Sequence, residues 1–341
     1  MKTITLGRTG ITTPQNAFGA LPIQRVDLPT AVKLLRRAYE GGMTFFDTAR
    51  AYSDSEIKLG AAFEGMRDKI FIASKTAAKT PEAFWKDLNT TLNNLRTDYL
   101  DIYQFHCVGQ CWKPGDGTGM YECMLEAKQK GMIRHIGVTA HKIGIAEELV
   151  ASGLYETLQF PFSYLATERD IALVKACKEA GMGFIAMKGL SGGLLTQADA
   201  CMAFMTDFDN VLPIWGIQRE SELEQWLSFF TRDVSMTPEM QAIIDKDRKE
   251  LLGQFCRGCG YCSPCSVGIV INQCARMSQM IRRAPSADWL SPYWQTEMER
   301  IDQCINCGAC LKRCPYELPI PELLKKNLAD YRKIVSGEIK V

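Results

Sequence analysis

Short apolar runs alternate with longer amphipathic stretches over roughly the first 230 residues of the chain. The runs are rich in β-branched and aromatic residues, as buried strands are. The stretches between them repeat apolar residues every three or four positions, as a helix with one buried face requires. The predicted strands are Asn16–Leu21, Thr44–Asp47, Ile70–Ser74, Tyr99–Phe105, His135–Thr139, Thr157–Phe162, Gly183–Met187 and Val211–Ile217.

This alternation predicts a parallel sheet, and about eight repeats in about 230 residues suit a closed barrel. An open doubly wound sheet is the alternative, but it would carry a G-x-G-x-x-G fingerprint after its first strand, and we find none there. The sequence therefore predicts a (β/α)8 barrel of the TIM type. Glycines at the expected helix ends support this prediction. They are Gly41, Gly131, Gly153 and Gly181.

The alternation stops near residue 235. Thr237 and Pro238 then suit the cap and the first position of a new helix, which leads into a cysteine-rich segment. We predict a barrel domain over residues 1–235 and a small, mainly α-helical domain over residues 236–341.

Composition and charge exclude several classes of partner. The 341 residues are 46% hydrophobic, and 40 basic against 39 acidic side chains leave a formal charge of +1. This balance gives no bulk attraction to nucleic acid or to anionic membranes. The sequence shows no apolar run of about 18 residues and no secretory signal, so we expect a cytoplasmic protein. In that compartment, 14 cysteines indicate metal or cluster binding rather than disulfides.

Two cysteine runs carry the strongest motif. CINCGACLKRCP at 304–315 has the C-x2-C-x2-C-x3-C-P spacing of bacterial ferredoxins, and CRGCGYCSPC at 256–265 is similar. In two-cluster ferredoxins, the fourth cysteine of each run ligates the other cluster. We therefore predict two [4Fe–4S] clusters. The first set is Cys256, Cys259, Cys262 and Cys314. The second set is Cys304, Cys307, Cys310 and Cys265.

Two alternatives concern this segment. Zinc also binds C-x2-C pairs, although two four-cysteine runs favour clusters. The first run ends with a gap of two and has Ser266 in place of the usual proline, so Cys274 is an alternative to Cys265. The residues between the runs, including INQCARMSQMIRR, have a helical pattern.

Polar, titratable residues follow successive barrel strands. Asp47 and Tyr52 follow the second strand, Lys75 ends the third and His106 the fourth. In a βα barrel, the ends of the strands converge on one mouth, where the chemistry takes place. An ammonium there lowers the pKa of a tyrosine, so Tyr52 could give a proton to a carbonyl oxygen while hydride reaches the carbon.

These residues resemble the catalytic tetrad of the aldo-keto reductase family. The resemblance rests on TLGRTG, FFDTARAY, the lysine and the histidine, and it covers roughly the first 230 residues. It implies that Tyr52 is the general acid, that Asp47 and Lys75 tune it, and that His106 orients the substrate. GCGYCSPC and AMKGLSGG resemble a subgroup with a C-terminal ferredoxin-like domain that holds two [4Fe–4S] clusters.

The resemblance also implies a nicotinamide dinucleotide, NAD(P)H. The implied contacts are Thr139, Gln159, Lys188, Gly189, Gly192, Gly193 and Arg219. Ala140 departs from the family, which has an asparagine there. Carboxylates around Arg219 would repel a 2′-phosphate, which favours NADH.

The combined domains predict an oxidoreductase that interconverts a carbonyl and an alcohol on a small molecule. Nicotinamide moves two electrons as hydride, whereas each cluster passes one. A flavin normally bridges the two, but the sequence shows no flavin motif. Either a flavin site escapes sequence reading, or the substrate is reduced in single-electron steps with a redox partner protein, or the clusters are structural. The alternative function is a redox sensor or electron carrier whose barrel only binds a ligand.

Overall fold

The computed structural model describes residues 1–251, 255–283 and 286–340. An antiparallel hairpin of β1 (Thr3–Thr5) and β2 (Thr12–Pro14) comes first. The next strands are β3 (Ala17–Gly19), β4 (Phe45–Asp47), β5 (Phe71–Thr76), β6 (Leu100–Phe105), β7 (Ile133–Thr139), β8 (Thr157–Pro161), β9 (Gly183–Met187) and β10 (Val211–Gly216). Each pairs in parallel with its neighbour along the chain, and β10 pairs with β3, which closes the barrel. The predicted (β/α)8 fold is confirmed.

Helices connect the strands and have clear sequence signals at their ends. They are α1 (Leu28–Glu40), α2 (Ser55–Ala62), α3 (Pro81–Leu95), α4 (Met120–Gln129), α5 (Ile143–Ser152), α6 (Glu168–Glu179), α7 (Ala198–Thr206) and α8 (Glu220–Leu227). The side chain of Asp27 caps α1, and Thr167 and Asp170 form a capping box on α6. Gly41 and Gly153 occupy the C-caps of α1 and α5, as the sequence predicted.

The hairpin contributes to the apolar filling of the barrel. Three of its side chains pack in one cluster with inward-facing residues of the strands. The members of this cluster include Ile4, Leu6, Ile11, Ala17, Phe45, Ala73, Ile102, Ile185 and Leu212. Since this cluster fills the barrel with apolar groups, the polar side chains described below collect toward the carboxyl ends of the strands.

The chain forms two compact units. The first comprises Met1–Gly189 with Ala198–Thr237, and the second comprises Leu190–Gln197 with the chain from Pro238 onward. The sequence-based boundary near residue 235 stays a prediction. The second unit contains α9 (Pro238–Leu251), α10 (Ile271–Cys274), α11 (Met277–Arg283), α12 (Ser286–Trp289), α13 (Pro292–Glu299), α14 (Ala309–Arg313) and α15 (Ile320–Val335).

One amphipathic helix organises the core of the second unit. Leu324, Leu328, Tyr331 and Ile334 of α15 recur at helical spacing and are buried in one apolar cluster, together with Met277 of α11. The spacer that the sequence predicted to be helical is divided into α10 and α11. Among the helices of the described ranges, none is long and apolar enough to cross a membrane.

Candidate functional site

Asp47 and Lys75 form a buried ion pair on two neighbouring strands. Asp47 is the last residue of β4, and Lys75 is the last but one of β5. Lys75 Nζ donates to Asp47 Oδ1 at 2.6 Å and to the carbonyl oxygen of Thr48 at 2.6 Å. The two charged residues are only 2% and 1% exposed. Because a buried ammonium requires a close counter-charge, the pair holds Lys75 in one position.

Tyr52 and His106 lie beside this pair. Tyr52 is in the turn after β4, and His106 directly follows β6. Lys75 Nζ is 5.0 Å from the centre of the Tyr52 ring. The rings of Tyr52 and His106 meet edge to face, with centres 5.8 Å apart. The structure therefore brings the four predicted tetrad residues together.

Burial dominates the proton equilibria of this group. It raises the pKa of Tyr52 above the ordinary value, although Lys75 opposes the shift. Lys75 acts in the expected direction, toward a lower pKa of this tyrosine, but desolvation of the phenolate outweighs the ammonium. Burial lowers the pKa of Lys75, but Asp47 and Tyr52 reverse the shift, and Lys75 stays protonated. Burial, Lys75 and Lys188 lower the pKa of His106 to about 3, which leaves a neutral imidazole.

Two glutamines surround the Asp47 carboxylate. Gln159 Nε2 lies 3.4 Å from Asp47 Oδ1, and Gln104 Nε2 lies 3.5 Å from Asp47 Oδ2. Gln104 also donates to Gln159 Oε1 at 3.0 Å. The family resemblance implies Gln159 as a dinucleotide contact, whereas no motif in the sequence points to Gln104. The available signal was a single amide inside the otherwise apolar run IYQF.

A cysteine and a histidine extend the site beyond the tetrad. Cys107 has left-handed backbone, with φ +55°, and its amide donates to Thr139 Oγ1 at 2.6 Å. Its Sγ lies 3.3 Å from Nδ1 of His141, whose pKa burial lowers well below the ordinary value. No predicted role falls on His141, although it is a histidine two residues after the end of β7.

In the second unit, cysteines of both runs line one cavity. The thiol residues around it are Cys256, Cys259, Cys262 and Cys314. Burial raises the pKa of Cys256, and it raises that of Cys262 to about 12, with neighbouring thiols adding to the effect. Crowded, buried thiols become thiolates when a cationic centre binds them, so the donor set fits a metal cluster.

A second cavity lies beside the other run. The cysteines that line it are Cys262, Cys265, Cys304, Cys307 and Cys310. Cys274 lines neither cavity, since its Sγ faces the carbonyl oxygen of Glu297 at 3.8 Å. Across the described ranges, no group of three or more His, Cys, Asp or Glu side chains is arranged to hold a single metal ion.

Comparison with known proteins identifies both parts of the chain. Residues 4–243 match the model of the aldo/keto reductase family, which is more than half of the sequence. The chain belongs to the aldo/keto reductase family. Residues 255–319 of this aldo/keto reductase match the model of a 4Fe-4S dicluster domain. The family resemblance seen in the sequence is confirmed.

Individual relatives agree with this assignment. The chain is 30% identical to aldo-keto reductase YhdN of Bacillus subtilis (strain 168) over 198 residues, which is 53% of this chain and 58% of that protein. It therefore spans less than two thirds of that relative. An aldo-keto reductase from Bacillus halodurans in its holo form superposes with a TM-score of 0.64, at 20% identity, over 72% of this chain and 96% of that chain. A Klebsiella pneumoniae aldo/keto reductase in complex with NADP and acetate superposes with a TM-score of 0.63, at 22% identity, over 72% of this chain and 95% of that chain.

The glycine-rich turn after β9 contacts other protein groups. A Cβ at Gly189 would fall 2.5 Å from Cζ3 of Trp215, so only glycine fits against this ring. The carbonyl oxygen of Gly192 accepts a hydrogen bond from Arg276 Nη1 at 2.6 Å. No motif in the sequence points to Arg276. The residues of this turn with left-handed backbone are Lys188, Ser191, Gly192 and Gly193.

Arg219 stands at the start of α8, among carboxylates that have partners. Glu222 accepts hydrogen bonds from the amides of Gln218 and Arg219 at 3.0 and 3.1 Å. Glu220 and Glu224 form ion pairs with basic residues of α1. Arg219 Nη1 lies 3.7 Å from Glu222 Oε1, so its own charge is partly offset.

Proposed function

We propose that this aldo/keto reductase interconverts a carbonyl compound and an alcohol, with Tyr52 as the general acid. The supporting observation is the buried Lys75 ammonium, which contacts Asp47 on one side and the Tyr52 ring on the other. Tyr52 keeps its proton at neutral pH because burial raises its pKa. It can pass that proton to the substrate oxygen as negative charge develops there, and the ammonium stabilises the phenolate left behind.

His106 orients the substrate in this proposal. Its imidazole is neutral, so one ring nitrogen carries a hydrogen that can be donated to the substrate oxygen. The edge-to-face contact with Tyr52 places the two donors next to each other. Asp47 acts through Lys75 and makes no substrate contact.

A nicotinamide dinucleotide would supply the hydride. We propose as its contacts the residues that the family resemblance implies, namely Thr139, Gln159, Lys188, Gly189, Gly192, Gly193 and Arg219. The tight packing of Gly189 fits a turn that a ligand approaches closely. We propose NADH as the preferred donor, because the guanidinium of Arg219 is partly offset by Glu222.

We propose two [4Fe–4S] clusters for the second unit, which would either supply one-electron transfer or support the structure. The lining of the two cavities supports one cluster on Cys256, Cys259, Cys262 and Cys314, and the other on Cys304, Cys307, Cys310 and Cys265. No pair of cysteines within the described ranges forms a disulfide. We propose the cytoplasm as the place of action, because the two cysteine runs are proposed as cluster ligands rather than as disulfides.

The deciding experiment compares anaerobically purified wild type with Tyr52→Phe. NADH-dependent reduction of a panel of aldehydes and ketones should fall by about 10²- to 10⁴-fold in the variant. Its iron and sulfide content should not change. Tyr121→Phe, which loses a hydrogen bond to the Leu154 carbonyl oxygen away from the tetrad, is the matched control. Full turnover in Tyr52→Phe would instead favour an electron carrier whose barrel only binds a ligand.

A second measurement separates the roles of the clusters. Turnover is followed during controlled exposure to air, while cluster loss is monitored by absorption. With NADH at a saturating concentration, unchanged turnover supports a structural role of the clusters, whereas a loss of turnover in parallel with the clusters supports electron transfer, with a redox partner protein. Mass spectrometry of the bound small molecules then identifies a nicotinamide or a flavin.

A further inference from the structure

Arg276 is a buried cation at the break between two helices. It stands between α10 and α11 and is 5% exposed. Its Nε and Nη2 donate to Gln273 Oε1 at 3.2 and 2.8 Å. Because both donors share the Gln273 oxygen, they fix the plane of the guanidinium. Its positive charge is therefore held next to the break between α10 and α11.

The guanidinium packs against the first cysteine run. A Cβ at Gly258 would fall 2.6 Å from Cζ of Arg276, so the missing side chain makes room for the cation. The amide of the same glycine donates to Sγ of Cys256 at 3.4 Å. A cation at this place favours the more negative redox state of a cluster held by Cys256.

The same guanidinium holds the glycine-rich segment Leu190–Gln197. Arg276 Nη1 donates to the carbonyl oxygen of Gly192 at 2.6 Å. Gly192 has left-handed backbone, with φ +73°, and a Cβ there would fall 2.6 Å from Nη1 and 2.7 Å from the carbonyl oxygen of Arg257. The segment is therefore closely packed on the cysteine run, and it is continuous in sequence with Lys188 and Gly189.

We propose that Arg276 is a positioning residue that links the cluster site at Cys256 to the glycine-rich segment after β9. With the cluster bound, Arg276 is held in place and fixes the backbone of Gly192. Loss of the cluster releases this restraint and weakens dinucleotide binding. The proposal rests on the proposed function, because it requires the cluster proposed at Cys256, and its second consequence, weaker dinucleotide binding, also requires the proposed NADH. Its first consequence, a raised reduction potential of the cluster at Cys256, stands on the second unit alone.

The test uses the full-length protein with its clusters, as wild type, Arg276→Gln and Arg276→Lys. Redox titration followed by electron paramagnetic resonance measures the cluster potentials. The reduction potential of the cluster at Cys256 should become more negative in Arg276→Gln. It should change less in Arg276→Lys, which keeps the charge but loses the planar guanidinium with its several donors. The control is Arg282→Gln, an exposed arginine of α11 paired with Asp330, which should leave both potentials unchanged.

NADH affinity, measured by fluorescence with and without the clusters, gives the second readout. Removal of the clusters should weaken binding to the wild type by about tenfold, a usual size for coupling between sites. In Arg276→Gln, cluster removal should have almost no further effect. Unchanged potentials in Arg276→Gln, together with an unchanged response to cluster removal, would overturn the proposal.

Two further outcomes remain distinguishable. If no form of the protein binds NADH, the proposed function is wrong, and the potentials alone decide the role of Arg276. If Arg276→Gln does not retain iron, the same measurements are made on Arg276→Lys, because this variant keeps the charge. Wild-type NADH affinity and wild-type response to cluster removal in Arg276→Lys would then overturn the link to Gly192.

Discussion

Lys75 and Asp47 neutralise each other inside the barrel, with Nζ 2.6 Å from Oδ1 and both residues at most 2% exposed. Each charge would be costly in this environment without the other. The pair therefore couples the stability of the barrel to the position of the ammonium beside Tyr52.

Lys75→Met should lower the free energy of unfolding of the barrel by about 3–5 kcal/mol, because it leaves Asp47 buried without its counter-charge. The double variant Asp47→Asn/Lys75→Met should be more stable than Lys75→Met, since the lone carboxylate is gone. Denaturant unfolding followed by tryptophan fluorescence measures both. Lys33→Met, which breaks an exposed ion pair with Glu220, is the control and should cost about 1 kcal/mol or less. Additive effects of the two substitutions would contradict this prediction.

His106 should not titrate in the physiological range. Because its pKa is about 3 in the folded protein, kcat/KM should show no inflection near pH 6.5 that depends on this residue. In the unfolded chain it binds a proton below about pH 6.5, so the folded state loses stability as the pH falls from there toward 3. In His106→Asn this imidazole is absent. The free energy of unfolding should therefore fall more in the wild type than in the variant as the pH is lowered. An inflection near pH 6.5 that disappears in the variant would show a charged imidazole.

The two cavities should lose iron separately. Cys314→Ala should remove about half of the iron and leave the cluster next to Cys304, whereas Cys265→Ala should do the reverse. Iron and sulfide analysis measures the amount, and electron paramagnetic resonance shows which cluster remains. Cys274→Ala is the matched control, since this buried thiol lines neither cavity, and it should retain all iron. If Cys274→Ala loses as much iron as Cys265→Ala, the assignment of Cys265 rather than Cys274 as the ligand is contradicted.

Alkylation should reach Cys107 before the other barrel cysteines. Cys107 is partly exposed, whereas Cys111, Cys123, Cys177 and Cys201 are buried. Iodoacetamide adds bulk at Cys107, which lies near enough to Tyr52 to affect its pKa, so carbonyl reduction should be lost. Peptide mapping identifies the site. Cys107→Ser should resist inactivation, and Cys111→Ser should not. Equal inactivation of Cys107→Ser would place the reactive thiol elsewhere.

The sequence predicted the barrel because its periodicity is strong, with strands as apolar runs and helices as amphipathic stretches between them. It could not predict the pKa of Tyr52, since that depends on how far burial outweighs the charge of Lys75. Gln104 was missed because one amide in an apolar strand has no periodic signature. The break at Arg276 was missed for another reason: both sides of it have helical patterns, and the contacts with Gly192 and Gly258 come from segments distant in sequence.

The position of Cys314 has a consequence for biosynthesis. The cavity next to Cys256 gains its last thiol only when residue 314 has left the ribosome, and the other cavity combines Cys265 with residues of the same late run. The first site cannot be completed on a nascent chain that ends before residue 314, and the second cannot be completed on one that ends before residue 310. The barrel strands, in contrast, are all translated before the first of these cysteines. With the proposed ligand sets, iron delivery is therefore expected to be a late event of maturation, after the synthesis of the barrel.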